Sequence, residues 1–174
     1  MTERDPFPPL DGLAFASYVR VRFHEVDALG HVNNASYLNY LEQAAIDHAA
    51  SLGLDMERME RLGGVFVARR HEIDFLRPAL AGDLLRVVTW LGEQRGARIE
   101  RHYRIERLSE PAPEATFAGM ALRGSDVPRD GALLVRATTE WVLVTPAGQP
   151  RRIPDDVASI LRAVGPGGAL PRSS

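Results

Sequence analysis

Between Phe23 and Ala45 the chain reads FHEVDALGHVNNASYLNYLEQAA. Two histidines, three carboxylates and three asparagines crowd around Gly30, just before a helical pattern begins. Asp27 is the side chain best placed for chemistry, because a carboxylate can attack a carbonyl carbon or take a proton from water. Gly30 lets the chain turn after it. The first amides of the following helix lack intrahelical partners and carry partial positive charge. An oxyanion formed against them is stabilised, with one donor worth about 3 kcal/mol. A carboxylate and an oxyanion site in one loop suit the hydrolysis of an acyl group. Asp-x-x-Gly taken alone is also a common turn former.

The neighbours divide by role. Asn34 is expected as the helix N-cap, its side-chain oxygen accepting from a first-turn amide. Asn33 belongs with Gly30 to the turn and helix entry. His31 has two readings, as a group that orients water or as a hydrogen-bonding support in a polar loop. Tyr37 is carried as a substrate-side residue, although packing suits both it and Tyr40. Glu42 shares a helix face with Leu38 and Ala45 and is expected to pair with an arginine or to border the site. Arg69 and Arg70, like Arg98, could grip phosphates through the guanidinium fork, or could line a solvated strand face. His24, Glu25, Asp27 and His31 are not expected to hold a metal, since adjacent strand residues point to opposite faces. No serine sits in a G-x-S-x-G elbow, which disfavours a serine hydrolase.

The elements that must position these residues follow from periodicity. SYVRVRFHEV alternates as a strand, and residues 35–52 place Tyr37, Leu38, Leu41, Ala44, Ala45 and Leu52 at helical spacing, with Gly53 to end the helix. Residues 55–62 predict a short second helix. Strands are expected in GVFVARRHEIDFL, DLLRVVTWLGEQ and GARIERHYRIERL, the last two joined by a hairpin at EQRGAR, and in ALLVRATTEWVLVTPAGQ. ATFAGMAL reads as a short strand inside a broken segment over 109–131, and PDDVASILRAV as a terminal helix with acidic residues in its first turn. One long helix among antiparallel strands predicts an α+β layout, a curved sheet wrapped around the helix. Residues 1–15 are expected to form a loose arm, 16–164 a single domain and 165–174 a tail. Exposed sheet edges and one uncovered face predict oligomerisation.

Composition narrows the function classes. The chain has 174 residues and a net charge of −2, and its basic residues are all arginine. The charge argues against a nucleic-acid partner. With no lysine, Schiff-base chemistry and a P-loop are ruled out; with no cysteine, thiolate metal sites and cysteine nucleophiles are too. The N-terminus lacks the basic start and apolar core of a signal peptide, and no apolar run reaches the roughly 20 residues of a membrane span. A cytoplasmic protein is expected.

The stretch VRFHEVDALGHVNNASYLNYLEQA resembles the opening motif of the hotdog-fold acyl-CoA thioesterases, the 4-hydroxybenzoyl-CoA thioesterase-like superfamily. The matching positions are Asp27, Gly30, Tyr37, Leu38 and Glu42. HVNN at 31–34 also resembles plant acyl-acyl carrier protein thioesterases, and RRHEIDFLRPALAGDLL and ATTEWVLVTPAGQPRRIPDDV are similar to later family strands. The resemblance covers about residues 18–108 and 132–158 and implies a hotdog fold assembled as homodimers or homotetramers, with active sites between subunits. It implies that Asp27 is nucleophile or general base and that a backbone amide near Asn34 polarises the thioester carbonyl. Some relatives carry histidine at the Asn34 position. Where the plant enzymes place an asparagine two residues after the aspartate, this chain has Leu29; their histidine matches His31. The implied substrate is an acyl-CoA or an acyl-carrier protein thioester, and no cofactor is expected because coenzyme A is part of the substrate. A hydroxyacyl dehydratase on the same fold, or a non-catalytic acyl-CoA- or acyl-carrier-binding module, are the alternatives.

Overall fold

A computed structural model describes residues 7–109 and 119–166. Its strands are β1 (Leu13–Arg20), β2 (Val65–Phe75), β3 (Leu84–Arg95), β4 (Arg98–Arg107), β5 (Met120–Arg123) and β6 (Ala132–Val144). Its helices are α1 (Asn34–Ser51), α2 (Met56–Arg61) and α3 (Asp155–Val164). The strands form one antiparallel sheet in the order β2-β6-β4-β3-β1-β5, curved around α1 in the hotdog arrangement.

Helix α1 buries Tyr37, Tyr40, Leu41, Ala44, Ala45 and His48, the stripe that a period of 3.6 puts on one face. This stripe packs on Leu85 and Val87 of β3, Tyr103 and Ile105 of β4, and Val135 and Ala137 of β6. Leu41 is 1% exposed, and truncating such a leucine to alanine costs about 2–5 kcal/mol. A second cluster joins Met59 of α2 and Val157, Ala158 and Leu161 of α3 to Leu91, Ile99 and Leu143.

Two expectations change. The first strand begins at Leu13, not Ser17, so the chain is already sheet within the expected arm over 1–15. Leu13, Ala14 and Phe15 are buried between β3 and β5, which only extended backbone in register with both neighbours allows. The strand expected in ATFAGMAL appears as Met120–Arg123; residues 110–118 lie outside the described ones, as do 1–6 and 167–174 of the expected arm and tail.

The outer face of the sheet is also covered in part. Ala14, Ala16, Val88 and Trp90 pack there against Val127 and Phe7. The backbone of Gly124 lies so close to Pro9 that an added Cβ would sit 1.9 Å from the Pro9 carbonyl oxygen. This gives the described part of the 109–131 segment a structural role. It pairs with the β1 edge and roofs the outer face, so β4, expected to have one wet side, keeps it at Arg98 and Glu100 but is buried on both faces from Tyr103 to Glu106.

Candidate active site

The Asp27 turn is built by backbone pairing. Val26 bridges Val32, and His31 bridges Leu80. The Asp27 amide donates to the His31 carbonyl at 2.8 Å, and the Gly30 amide to the Asp27 carbonyl at 3.0 Å. Gly30 has φ 76°, a left-handed conformation that a side chain disfavours. The Asp27 Oδ1 atom accepts from the Leu29 amide at 2.8 Å and the His31 amide at 3.3 Å. These bonds hold the carboxylate in one orientation and leave Oδ2 without a protein partner among the described residues. Asp27 is exposed, so a substrate can reach that oxygen.

The turn is anchored to the helix. Asn33 N donates to the Glu25 carbonyl at 2.8 Å, and Ser36 Oγ reaches the same carbonyl at 3.3 Å. The N-cap is Asn33, one residue before the expected Asn34: its Oδ1 accepts from the Ala35 amide at 2.9 Å. The reason is backbone geometry. Asn33 is extended, with φ −59° and ψ 137°, whereas Asn34 is already helical, so only Asn33 can fold its side chain back over the first turn. The Ser36 amide is used by the Asn33 carbonyl at 2.8 Å. Among the described residues, the Asn34 amide has no acceptor, and it is the free donor at the helix start.

The other candidates separate. His31 is half-buried beside Asp27, and its ring makes no hydrogen bond among the described residues. Tyr37 is 2% exposed and its hydroxyl accepts from the Ala79 amide at 3.0 Å, so in this chain it ties α1 to the loop before β3 rather than facing substrate. Burial raises its pKa. Tyr40 is likewise buried, and burial, then Glu25, raises its pKa too. Arg69 pairs with Glu140 at 3.1 Å and Arg70 with Glu72, both on the exposed edge strand β2 with no bond to the Asp27 turn. Glu42 is exposed and has no ion pair among the described residues, contrary to the arginine pairing expected. No three His, Asp or Glu side chains converge as a metal site among the described residues.

Sequence reasoning passed over Arg101. Alternation on β4 puts it on the helix-facing side with Ile99 and Tyr103, and it is 6% exposed. Its Nη1 donates to His48 Nδ1 at 2.8 Å and to Thr89 Oγ1 at 3.2 Å. The signal was an arginine at a position where period two demands a core residue.

The family model described as the thioesterase-like superfamily matches residues 21–161. An acyl-CoA thioesterase of Haemophilus influenzae is 32% identical over 59% of this chain and 76% of its own. A chloroplast acyl-acyl carrier protein thioesterase of Arabidopsis thaliana is 29% identical over 60% of this chain and 55% of its own, so the chain spans about half the length of that relative. A crystal structure of a thioesterase complexed with coenzyme A and Zn, from Thermus thermophilus, is 25% identical, with a TM-score of 0.65 over 86% of this chain and 93% of that one. No helix among the described residues is long and apolar enough to cross a membrane.

Proposed function

This chain belongs to the thioesterase-like superfamily, and from that premise we propose that it hydrolyses acyl-CoA thioesters, with Asp27 as the reacting carboxylate and the Asn34 amide as the oxyanion donor. The observation that carries the reading is the pairing of a carboxylate fixed through one oxygen with a free amide at the start of α1. Fixing Oδ1 holds Oδ2 ready, so little reorganisation is needed at the moment of reaction. As general base, Oδ2 takes a proton from water while the oxygen of that water attacks the thioester carbon. The carbonyl oxygen becomes an oxyanion against the Asn34 N–H. Collapse expels the coenzyme A thiolate, which takes up the proton, leaving the carboxylic acid. As nucleophile, Asp27 instead forms a mixed anhydride that water cleaves. His31 stands beside the attack position as a support for water. The exposed 11-residue edge strand β2 carries Val67 and Phe75 outward and supports assembly through that edge into a homodimer or homotetramer.

Helix geometry offers a clean test. Asn34 is the first helical residue, where proline is tolerated, and the extended Asn33 before it is what a proline requires. Asn34→Pro therefore removes one N–H and little else. Thiol release from a panel of acyl-CoAs and acyl-carrier thioesters should fall about 10²–10³-fold in Asn34→Pro. It should fall about 10²–10⁴-fold in Asp27→Asn. The chain has no cysteine to add a thiol background. Turnover unchanged by Asp27→Asn would remove Asp27 as the reacting carboxylate, and no thiol release from any of these thioesters would remove the hydrolase reading.

A further inference from the structure

A cavity of about 180 Å³ lies between the second half of α1, α2 and the sheet. Its wall is apolar: Ala45 and Ala49 of α1, Met59 of α2, and Phe66, Leu91 and Trp141 from three strands. Into this wall comes Arg101. A buried guanidinium is costly unless an anion balances it. Arg101 has no carboxylate partner among the described residues. Its two hydrogen bonds, both through Nη1, go to neutral acceptors, His48 Nδ1 and Thr89 Oγ1. Nε and Nη2 have no protein acceptor among the described residues. Among the described residues, the one carboxylate in the wall, Asp55, caps α2 by accepting from the Arg58 amide at 2.8 Å.

The support around Arg101 is rigid. His48 is 1% exposed and stacks on Phe15 with ring centroids 5.4 Å apart. Because its Nδ1 accepts from Arg101, its proton sits on Nε2, and the ring is a neutral prop. Thr89 donates to the His102 carbonyl at 3.0 Å, which turns its lone pairs to Arg101. Two groups thus aim the guanidinium without neutralising it.

We propose that this cavity binds an apolar chain ending in a carboxylate, with Arg101 as the anion anchor. A cavity of about 150 Å³ accommodates a benzene-sized group, so a short alkyl or aromatic body fits the space here. This chemistry has two sources. One is the free acid that thioester hydrolysis releases. The other is the far end of a long ω-carboxyacyl thioester, because the helix rise puts Ala49 about 22 Å along α1 from Asn34. The second source rests on the thioesterase reading; binding of a free acid does not.

The test compares octanoate with 1-octanol by titration calorimetry on the wild-type chain. Octanoate should bind about tenfold to hundredfold tighter, the range of a charge-assisted hydrogen bond. The preference should vanish in Arg101→Met, and Ala49→Phe, which fills the cavity, should abolish octanoate binding. Equal affinity for acid and alcohol on the wild type overturns the proposal without need of a variant, as does octanoate binding that survives Ala49→Phe. Thiol release from hexadecanedioyl-CoA and palmitoyl-CoA then separates the sources. An Arg101-dependent preference for the ω-carboxyl substrate identifies the substrate end; Arg101-dependent inhibition by octanoate, without that preference, identifies the released acid. Acid selectivity with no thioester hydrolysis would leave the anion site standing and remove the thioesterase reading. Asp27-dependent hydrolysis without acid selectivity would do the reverse.

Discussion

The two faces of β4 treat buried arginine in opposite ways. On the outer face Arg86 and Arg104 converge on Glu106, which is 1% exposed. Arg86 reaches one Glu106 oxygen through Nε at 3.0 Å and Nη2 at 2.6 Å, and Arg104 reaches the other through Nε at 3.2 Å and Nη2 at 2.9 Å. The loop before β6 closes the cluster: the Pro128 carbonyl accepts from Arg86 at 2.9 Å, Asp130 pairs with Arg86 at 2.8 Å, and Phe7 lies against Arg104 and Arg129. On the inner face, three residues before Arg104, Arg101 meets only neutral acceptors among the described residues. A paired cluster that joins the roof to the sheet is explained by architecture. An uncompensated guanidinium beside a cavity is not, and the contrast points to a ligand.

The largest expected effect is on the paired face. Glu106→Ala removes the carboxylate shared by two buried guanidinium groups and should cost about 3–5 kcal/mol, read as a lower urea midpoint. A loss well under that range would mean that water reaches the cluster. Arg101→Met should cost less, about 1–3 kcal/mol, because it removes a buried charge and forfeits only hydrogen bonds to the neutral His48 and Thr89. If the two losses are equal, the contrast between the faces is wrong.

The pH profile gives a finer measure of the inner face. Burial, then Arg101, lowers the His48 pKa well below its ordinary 6.5. His102, on the outer face, is lowered by burial as well. A depressed folded pKa means that the unfolded chain binds the proton first. The stability these neutral rings contribute is full above pH 6.5 and is lost as pH falls from there toward the folded values. Each ring adds a slope of at most about 1.4 kcal/mol per pH unit in that window. His48→Asn should remove one such slope in thermal melts between neutral and mildly acidic pH. The smallest effect is expected at the rim: Asp130 has a side chain 71% exposed, and Asp130→Asn should change stability by about 0–1 kcal/mol although Arg86 lowers its pKa.

Much of the fold was legible because the signals are local. The α1 stripe, the alternation of β4, the hairpin at Gly96 and the acidic start of α3 are each written within a dozen or so residues. Asp27, Gly30 and the helix start were legible for the same reason, since the whole turn spans eight residues. The cap shifted from Asn34 to Asn33 because two adjacent asparagines are equivalent in composition and only ψ separates them. Tyr37 proved a tie to Ala79, 42 residues away, and Glu42 lacked its expected arginine among the described residues. Neither could be read, because what stands beside each side chain is set by other elements.

Arg101 marks the boundary between the two kinds of information. Its inward position was already determined by the alternation of β4, a property of the backbone pleat that needs no tertiary contact. That it would meet His48 from a helix 53 residues away and an apolar cavity from five other elements was decided only when the sheet curved around α1. Periodicity says which side a residue faces. Charge compensation depends on what stands within a few ångströms, and only the packed structure determines that.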